Sequence, residues 1–95
     1  MNIGNALKEL RKSKGIRQNW LANEVGISQT YLSQLENNER NNPTLETLER
    51  IVKKLDTPLP FLFMLALDED DIRMEKRSEY NTLKPVFKLI VNGLI

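Results

Sequence analysis

Residues 18–37 read QNWLANEVGISQTYLSQLEN, and this stretch decides the fold. Small Ala22, then Gly26 four residues later, then aliphatic Leu32 six residues further on give the spacing of a helix-turn-helix. Ala22 lets two helices cross closely, Gly26 can adopt the positive φ that closes the turn, and Leu32 anchors the second helix in the core. Ser28 is a good N-cap for that second helix. The stretch therefore predicts two short helices joined by a tight turn.

The second of these helices, over residues 29–37, has two chemically different faces. At about 100° per residue, Leu32 and Leu35 fall on one side of the helix, and only uncharged polar side chains fall on the opposite arc. Amides and hydroxyls read base edges in a DNA groove, whereas an ordinary solvated face more often carries Glu and Lys. We therefore interpret the arc as a recognition surface. Its members are Gln29, Thr30, Ser33, Gln34 and Asn37.

Apolar periodicity predicts further helices on both sides of this unit. A first helix carries a stripe of Ile3, Leu7 and Leu10, and a fourth begins after the N-cap Thr44. A fifth runs to Leu67 and is apolar all round, so we expect it to be buried on all sides. The stripe of the fourth helix consists of Leu45, Leu48, Ile51, Val52 and Leu55.

The C-terminal segment, about residues 74–92, carries a further apolar stripe. Pro85 lies inside it and is predicted to kink the helix or restart it. The stripe is shorter than a coiled coil needs, so it either covers the fifth helix within one chain or forms a seam between two chains. We favour a homodimer, because the fifth helix and the stripe offer more apolar surface than a small bundle can hide. The predicted dimerisation residues are Tyr80, Leu83, Phe87, Ile90 and Leu94.

Composition narrows the possible chemistry. The 95 residues contain no Cys and no His, which excludes disulfides, zinc fingers, thiol catalysis and Ser–His pairs. The acidic run over residues 68–71 lacks the alternating spacing and the glycine of a calcium-binding loop. We therefore expect no enzyme, no metal site and no cofactor.

The net charge of +1 hides an asymmetry along the chain. Residues 1–55 carry nine basic and six acidic side chains, whereas residues 56–95 carry five basic and seven acidic ones. A basic N-terminal part raises the question of a polyanionic partner. No apolar stretch reaches the roughly 20 residues that a membrane span needs, and the first ten residues lack the features of a secretory signal. We expect a cytoplasmic protein without a membrane partner.

These motifs in combination resemble the phage-repressor type of helix-turn-helix domain, the Cro/cI-like or XRE family of bacterial and phage regulators. The similarity covers about residues 3–65. The resemblance implies a compact five-helix DNA-binding bundle, which we place over residues 1–67. The apolar periodicity adds a C-terminal helical extension over residues 68–95, so the predicted fold is all-α. The resemblance further implies that the helix over residues 29–37 enters the major groove. The segments that carry the resemblance are LKELRKSKGI (7–16), Gln18, LA (21–22), VGIS (25–28), YLSQLEN (31–37) and NPTLETL (42–48).

The resemblance also implies roles for individual residues. Arg11 and Glu36 match a partly buried ion pair, and the helical wheel independently places Glu36 beside the core face, so we assign this pair a bracing role. Base contacts are implied for Gln29, Thr30, Ser33 and Gln34. Contacts to the DNA backbone are implied for Gln18, Ser28, Tyr31, Asn37, Arg40, Asn41 and Asn42, and we predict a further one for Arg17.

Three residues depart from the family pattern, and one of them is Asp56, which stands where a Gly often ends the fourth helix. Arg17 stands where a Ser or Thr cap is usual, which weakens the cap and adds a phosphate contact. Trp20 replaces a residue that is usually polar. We expect Trp20 to pack across the first two helices, and the alternative is a contact with a partner or with the edge of the DNA.

The leading functional hypothesis is a sequence-specific regulator that binds double-stranded DNA. We expect it to be a repressor that acts as a homodimer on a two-fold operator. Its expected location is the bacterial or phage-infected cytoplasm, in association with the nucleoid. One alternative is the antitoxin of a toxin–antitoxin pair, which would bind a toxin protein and also regulate its own gene. A third hypothesis is a protein-interaction module with a degenerate helix-turn-helix. The uncharged polar arc and Gln18 argue against this third hypothesis.

Overall fold

Six α-helices and two short 3-10 turns make up the computed structural model, which describes residues 1–40 and 43–95. No strand occurs within these ranges, and the predicted all-α fold is confirmed. The 3-10 turns lie between the fifth and sixth helices, at Glu69–Asp71 and Met74–Lys76. The helices are α1 (Ile3–Ser13), α2 (Gln18–Val25), α3 (Gln29–Glu36), α4 (Leu45–Lys54), α5 (Leu59–Ala66) and α6 (Arg77–Leu94).

Local sequence explains where these helices begin and end. The side chains of Asn2, Ser28 and Thr44 each accept a hydrogen bond, at 3.0–3.1 Å, from the backbone N–H three residues further on. Arg17 precedes α2 and provides no such bond, as its departure from the family pattern predicts. Gly26 ends α2 at a φ of 76°, in the left-handed region where a side chain would be strained.

The core lies among α1 to α5, and two predictions about it are wrong. In α5, Leu62 and Ala66 are buried, but Met64 is 39% exposed, because α6 covers only part of this apolar helix. Leu45 is 57% exposed, because it lies at the first turn of α4 and at the edge of the apolar stripe. The buried apolar residues of this core are Ala6, Leu7, Leu10, Leu21, Ala22, Val25, Leu32, Leu35, Leu48, Ile51, Val52, Leu55, Leu62 and Ala66.

The C-terminal extension packs on α5 of its own chain through one side of α6. Tyr80 and Val91 are buried there, and the Tyr80 hydroxyl donates a 2.7 Å hydrogen bond to the carbonyl of Leu67. Burial raises the pKa of Tyr80, and Asp68 and Asp71 raise it further, so the hydroxyl stays protonated as a donor. The boundary after residue 67 stays a prediction.

Helix α6 runs without interruption through Pro85, so the helix does not restart there, and the alternative, a kink at Pro85, stays a prediction. Among residues 1–40 and 43–95, none of the helices combines the length and the apolar character that crossing a membrane requires.

The beginning of α1 connects the end of α5 to the turn after α3. The backbone N–H of Asn2 donates to the carbonyl of Ala66 at 2.7 Å, and the side-chain oxygen of Asn2 accepts from Asn38 Nδ2 at 3.0 Å. Gly4 sits so close to the Leu35 carbonyl and the Asn38 side chain that a Cβ there would collide with both. These contacts fix α1 against the C-terminal end of α3.

Candidate nucleic-acid interface

The polar side chains of α3 share one open cleft with a volume of about 340 Å³. Gln29 and Thr30 are exposed, and Ser33 and Gln34 are half-buried. The structure thus brings together all four side chains that were predicted to read bases. The cleft is lined by Gln18, Gln29, Thr30, Ser33, Gln34 and Glu39.

Arg11 and Glu36 form the ion pair that braces α3 against α1. Arg11 Nε donates to Glu36 Oε2 at 2.8 Å, and Arg11 Nη2 donates to Glu36 Oε1 at 2.9 Å. Arg11 Nη1 also donates to the carbonyl of Ile16 at 2.8 Å. Both residues are buried, 8% and 3% exposed, and such two-bond pairing satisfies charges that would otherwise be costly to bury.

A chain of hydrogen bonds leads from this ion pair to the recognition surface. Glu36 Oε1 also accepts from Gln18 Nε2 at 3.2 Å, and Gln18 Oε1 accepts from Gln29 Nε2 at 3.5 Å. Because a carboxylate only accepts, Gln18 must turn its nitrogen toward Glu36 and its oxygen toward Gln29. Gln29 consequently keeps its own oxygen and its second N–H for another partner.

The C-terminal end of α3 gathers further predicted DNA-contacting residues. Asn37 Nδ2 donates to Ser33 Oγ at 3.4 Å. Arg40 Nε donates to Gln34 Oε1 at 3.1 Å, and the Arg40 guanidinium lies 5.8 Å from the centre of the Tyr31 ring. The contacts with the Tyr31 ring and the Gln34 amide restrict the position of the Arg40 guanidinium, so Arg40 is held beside the arc.

The remaining predicted backbone contacts lie near the start of α2 and α3 or fall outside the described residues. Arg17 and Ser28 are exposed, directly before α2 and α3 respectively. Helix starts next to a polar cleft suit phosphate contacts, because their backbone N–H groups point outward. Asn41 and Asn42 lie outside the described residues.

Sequence reasoning missed Glu39, which lines the same cleft as the side chains predicted to read bases. Asn38 adopts a positive φ of 60°, and the backbone N–H of Glu39 then donates to the carbonyl of Gln34 at 2.8 Å, which turns the chain back over α3. A carboxylate there can accept from the N4 amino group of cytosine and repels phosphate. An Asn directly after a helix is a sequence signal for such a turn, although it does not say where the next side chain goes.

Trp20 does not pack across α1 and α2, so that prediction is wrong. Its side chain is 47% exposed, because it lies on the side of α2 opposite the buried Ala22 and Val25. Lys54 Nζ lies 5.9 Å from the centre of its ring. The alternative, a contact with a partner or with DNA, stays a prediction.

The predicted dimerisation stripe divides into a buried and an exposed part. Tyr80 faces the chain's own α5 and is buried, so its assignment to a seam between chains needs correction. Phe87 is half-buried against the same helix. The reason is the helical period: Tyr80 and Phe87 share a side of α6 with the buried Val91. The outer face of α6, as we call its exposed apolar side, consists of Leu83, Val86, Leu89, Ile90 and Leu94.

Comparisons with known proteins identify relatives of this chain. A family model described as "Helix-turn-helix" matches residues 7–62. The HTH-type transcriptional regulator SinR of Bacillus licheniformis is 33% identical over 81 residues, which are 85% of this chain and 72% of SinR. The immunity repressor protein of Bacillus phage phi105 is 30% identical over 82 residues, 86% of this chain. The chain spans about half of that repressor, 54% of its length.

Two further comparisons involve an antitoxin and a solved complex. Antitoxin HipB of Escherichia coli (strain K12) is 39% identical over 79 residues, 83% of either chain. The crystal structure of SinR, the master regulator for biofilm formation, in complex with DNA has a TM-score of 0.61 and 36% identity, and it covers 64% of this chain and 97% of that one. Since the family model matches more than half of the chain, from α1 into α5, the chain belongs to the XRE-type helix-turn-helix family.

Proposed function

We propose that this chain is a sequence-specific repressor that binds double-stranded DNA and acts by occupying its operator. The observation that carries the proposal is the shared cleft of Gln29, Thr30, Ser33 and Gln34 on one side of α3. Relatives that are transcriptional regulators and a phage immunity repressor support it, as does the similar SinR structure with DNA. Occupying an operator requires no catalysis. The protein would bind its DNA in the bacterial or phage-infected cytoplasm.

In this proposal α3 lies in the major groove, with a base contact at its N-terminal end and a backbone contact at its C-terminal end. Gln29, at its N-terminal end, offers the oxygen and the second N–H that its bond to Gln18 leaves free. An amide oxygen and N–H side by side match the N6 donor and N7 acceptor of adenine. Arg40, held against Tyr31 and Gln34, contributes positive charge for the backbone at the other end.

The proposal includes a homodimer formed through the outer face of α6. Five large apolar side chains are exposed there although the other side of the helix is already packed on α5. Contiguous apolar exposure of this kind is typical of an interaction surface. A two-fold dimer would present two copies of α3 to half-sites roughly 34 Å apart, one turn of DNA.

A titration of DNA from around the chain's own gene tests the proposal. The fragment is mixed with the full chain at several salt concentrations, and the dissociation constant is measured by fluorescence anisotropy. We expect the logarithm of the association constant to fall with the logarithm of salt concentration with a slope of about −0.9 per neutralised phosphate. A scrambled fragment of equal length is the control. Equal affinity for both fragments, or no salt dependence, would contradict sequence-specific binding.

A second candidate function is that of an antitoxin that also regulates its own gene. It is favoured by the similarity to antitoxin HipB, which extends over 83% of either chain. The toxin would be a protein encoded next to this one. Co-expression of the two neighbouring genes with a tag on this chain should yield a stoichiometric complex and suppress the growth defect caused by the neighbour. If the two proteins purify separately, the antitoxin function is contradicted and the repressor function is the one that remains.

A further inference from the structure

Helices α2 and α4 carry a second surface, and of its residues the DNA-binding proposal uses Arg17 alone. At one end lies a mostly apolar depression of about 270 Å³, formed by Gly15, Ile16, Arg17 and Trp20. The indole of Trp20 is 47% exposed at its rim. An exposed Trp beside an apolar hollow offers a large contact area at small entropic cost, and Trp is the side chain most enriched among residues that dominate protein–protein binding.

A wider cleft of about 740 Å³ lies between α2 and α4 and is lined mostly by polar and charged residues. Lys54 joins the two parts, because its Nζ lies 3.2 Å from Glu24 Oε1 and 5.9 Å from the centre of the Trp20 ring. We call the depression and the cleft together the Trp20 face. The cleft is lined by Asn23, Glu24, Val25, Gly26, Arg50, Lys53, Lys54 and Asp56.

Positive charge exceeds negative charge on the Trp20 face. Its cationic side chains are Arg17, Arg50, Lys53 and Lys54, whereas Glu24 and Asp56 are its only acidic ones in the described lining. Part of this charge is already engaged, since Arg50 Nη1 donates to the carbonyl of Val25 at 3.0 Å and Lys54 pairs with Glu24. The net excess still attracts and orients a partner of opposite charge.

The Trp20 face points away from the recognition surface. Gln18 reaches Glu36 on the α3 side of α2, and Trp20, two residues further on, lies about 200° around the helix. The cleft at α3 shares no lining residue with either part of the Trp20 face. DNA bound at α3 would therefore leave Trp20 and the cleft between α2 and α4 open, whereas Arg17, which is predicted to contact the DNA backbone, would be shared. The apolar depression suits an aromatic or aliphatic side chain better than it suits a phosphate group.

We propose that the Trp20 face is a docking site for an acidic protein segment that carries one aromatic or aliphatic anchor residue, and that it is occupied while α3 holds DNA. The anchor fills the depression beside Trp20, and a carboxylate of the segment meets Lys53. This surface extends the DNA-binding function to recruitment of a second protein, and DNA binding does not depend on it.

The chain contains a single Trp, so its fluorescence reports on this face alone. A phage-displayed library of random 12-residue peptides is selected on the full chain and counter-selected on the Trp20→Ala variant. We expect the enriched peptides to be acidic with one aromatic or aliphatic residue and to shift the Trp20 emission to the blue. Trp20→Ala should weaken binding of a labelled peptide at least about 30-fold, as the loss of an anchor does.

Charge reversal supplies the matched comparison. Lys53→Glu, on the face, should weaken the selected peptides, whereas Lys76→Glu, an exposed position near α6, should leave them unchanged. Unchanged DNA binding by Trp20→Ala shows that the variant is folded and separates the two proposals. Failure to enrich peptides that depend on Trp20, or enrichment of basic ones, would overturn the docking site. A shift of the Trp20 emission on adding operator DNA would also overturn the docking site, because it would show that Trp20 contacts the edge of the DNA duplex.

Discussion

The exposed arc of α3 and the outer face of α6 are both open to solvent, yet they differ in how their side chains are held. In the arc, Gln29, Ser33 and Gln34 are hydrogen-bonded to neighbours, and the bond of Gln29 leads through Gln18 to a buried ion pair. On α6, apolar side chains such as Leu89 and Ile90 stand exposed with nothing apolar covering them among the described residues. The side chains of the arc are pre-organised for a polar ligand. Covering the apolar side chains of α6 with any apolar surface would lower the free energy, because it removes them from water.

The largest expected effect comes from removing the ion pair that orders the arc. Glu36→Ala leaves Arg11 buried without its partner, which should lower the free energy of unfolding by about 3–5 kcal/mol. Urea denaturation followed by circular dichroism measures this loss. Glu9→Gln, which removes the exposed pair with Lys88, is the control and should cost less than about 1 kcal/mol. Similar losses in both variants would show that the buried pair has no special role.

The next largest effect concerns the outer face of α6. The double substitution Leu83→Glu and Ile90→Glu places two charges in the proposed seam, so the dimer dissociation constant should rise by more than about 30-fold. Sedimentation velocity measures the dimer fraction. The free energy of unfolding of the monomer should hardly change, because both residues are exposed within one chain. A dimer that survives this substitution would place the seam elsewhere.

A smaller effect tests the arc itself. Gln29→Ala should remove about 1–3 kcal/mol of discrimination at one base position, because the amide no longer pairs with a base edge. Anisotropy titrations with operators carrying each of the four bases at the contacted position measure the change. The stability of the variant serves as its control, since Gln29 is exposed. Equal weakening on all four operators would make Gln29 a backbone contact instead.

The smallest effect separates the two sides of α6. Tyr80→Phe deletes the hydroxyl that donates to the Leu67 carbonyl and should lower stability by about 1 kcal/mol. Thermal unfolding measures the loss. Oligomeric state should stay the same, because Tyr80 is buried within its own chain. Dissociation of the dimer with no change in unfolding would return Tyr80 to the seam between chains.

Local patterns predicted most of the fold, because they depend on neighbours along the chain. The caps Ser28 and Thr44 and the left-handed Gly26 follow from backbone geometry that a few adjacent residues determine. The grouping of the α3 side chains in one cleft likewise follows from the helical period. The pairing of Arg11 with Glu36 was implied by family resemblance and by the position of Glu36 beside the core face.

Predictions that needed the position of a distant element were the ones that were wrong or incomplete. Trp20 is exposed because none of the helices in the described ranges covers its side of α2, and Tyr80 is buried because α6 lies on α5. Glu39 joins the arc only through the turn at Asn38. A periodic pattern says that a face is apolar or polar, but it does not say which other element covers that face.

The chain of bonds from Arg11 to Gln29 has an evolutionary consequence. The fold depends on the buried end of this chain, whereas the exposed end and its neighbours Thr30 and Ser33 contribute little to the core. Substitutions at the exposed end can therefore accumulate without loss of foldability, since surface changes cost little stability. After gene duplication, two copies with the same fold can come to bind different operators in one cell, and neither copy then binds the operator of the other.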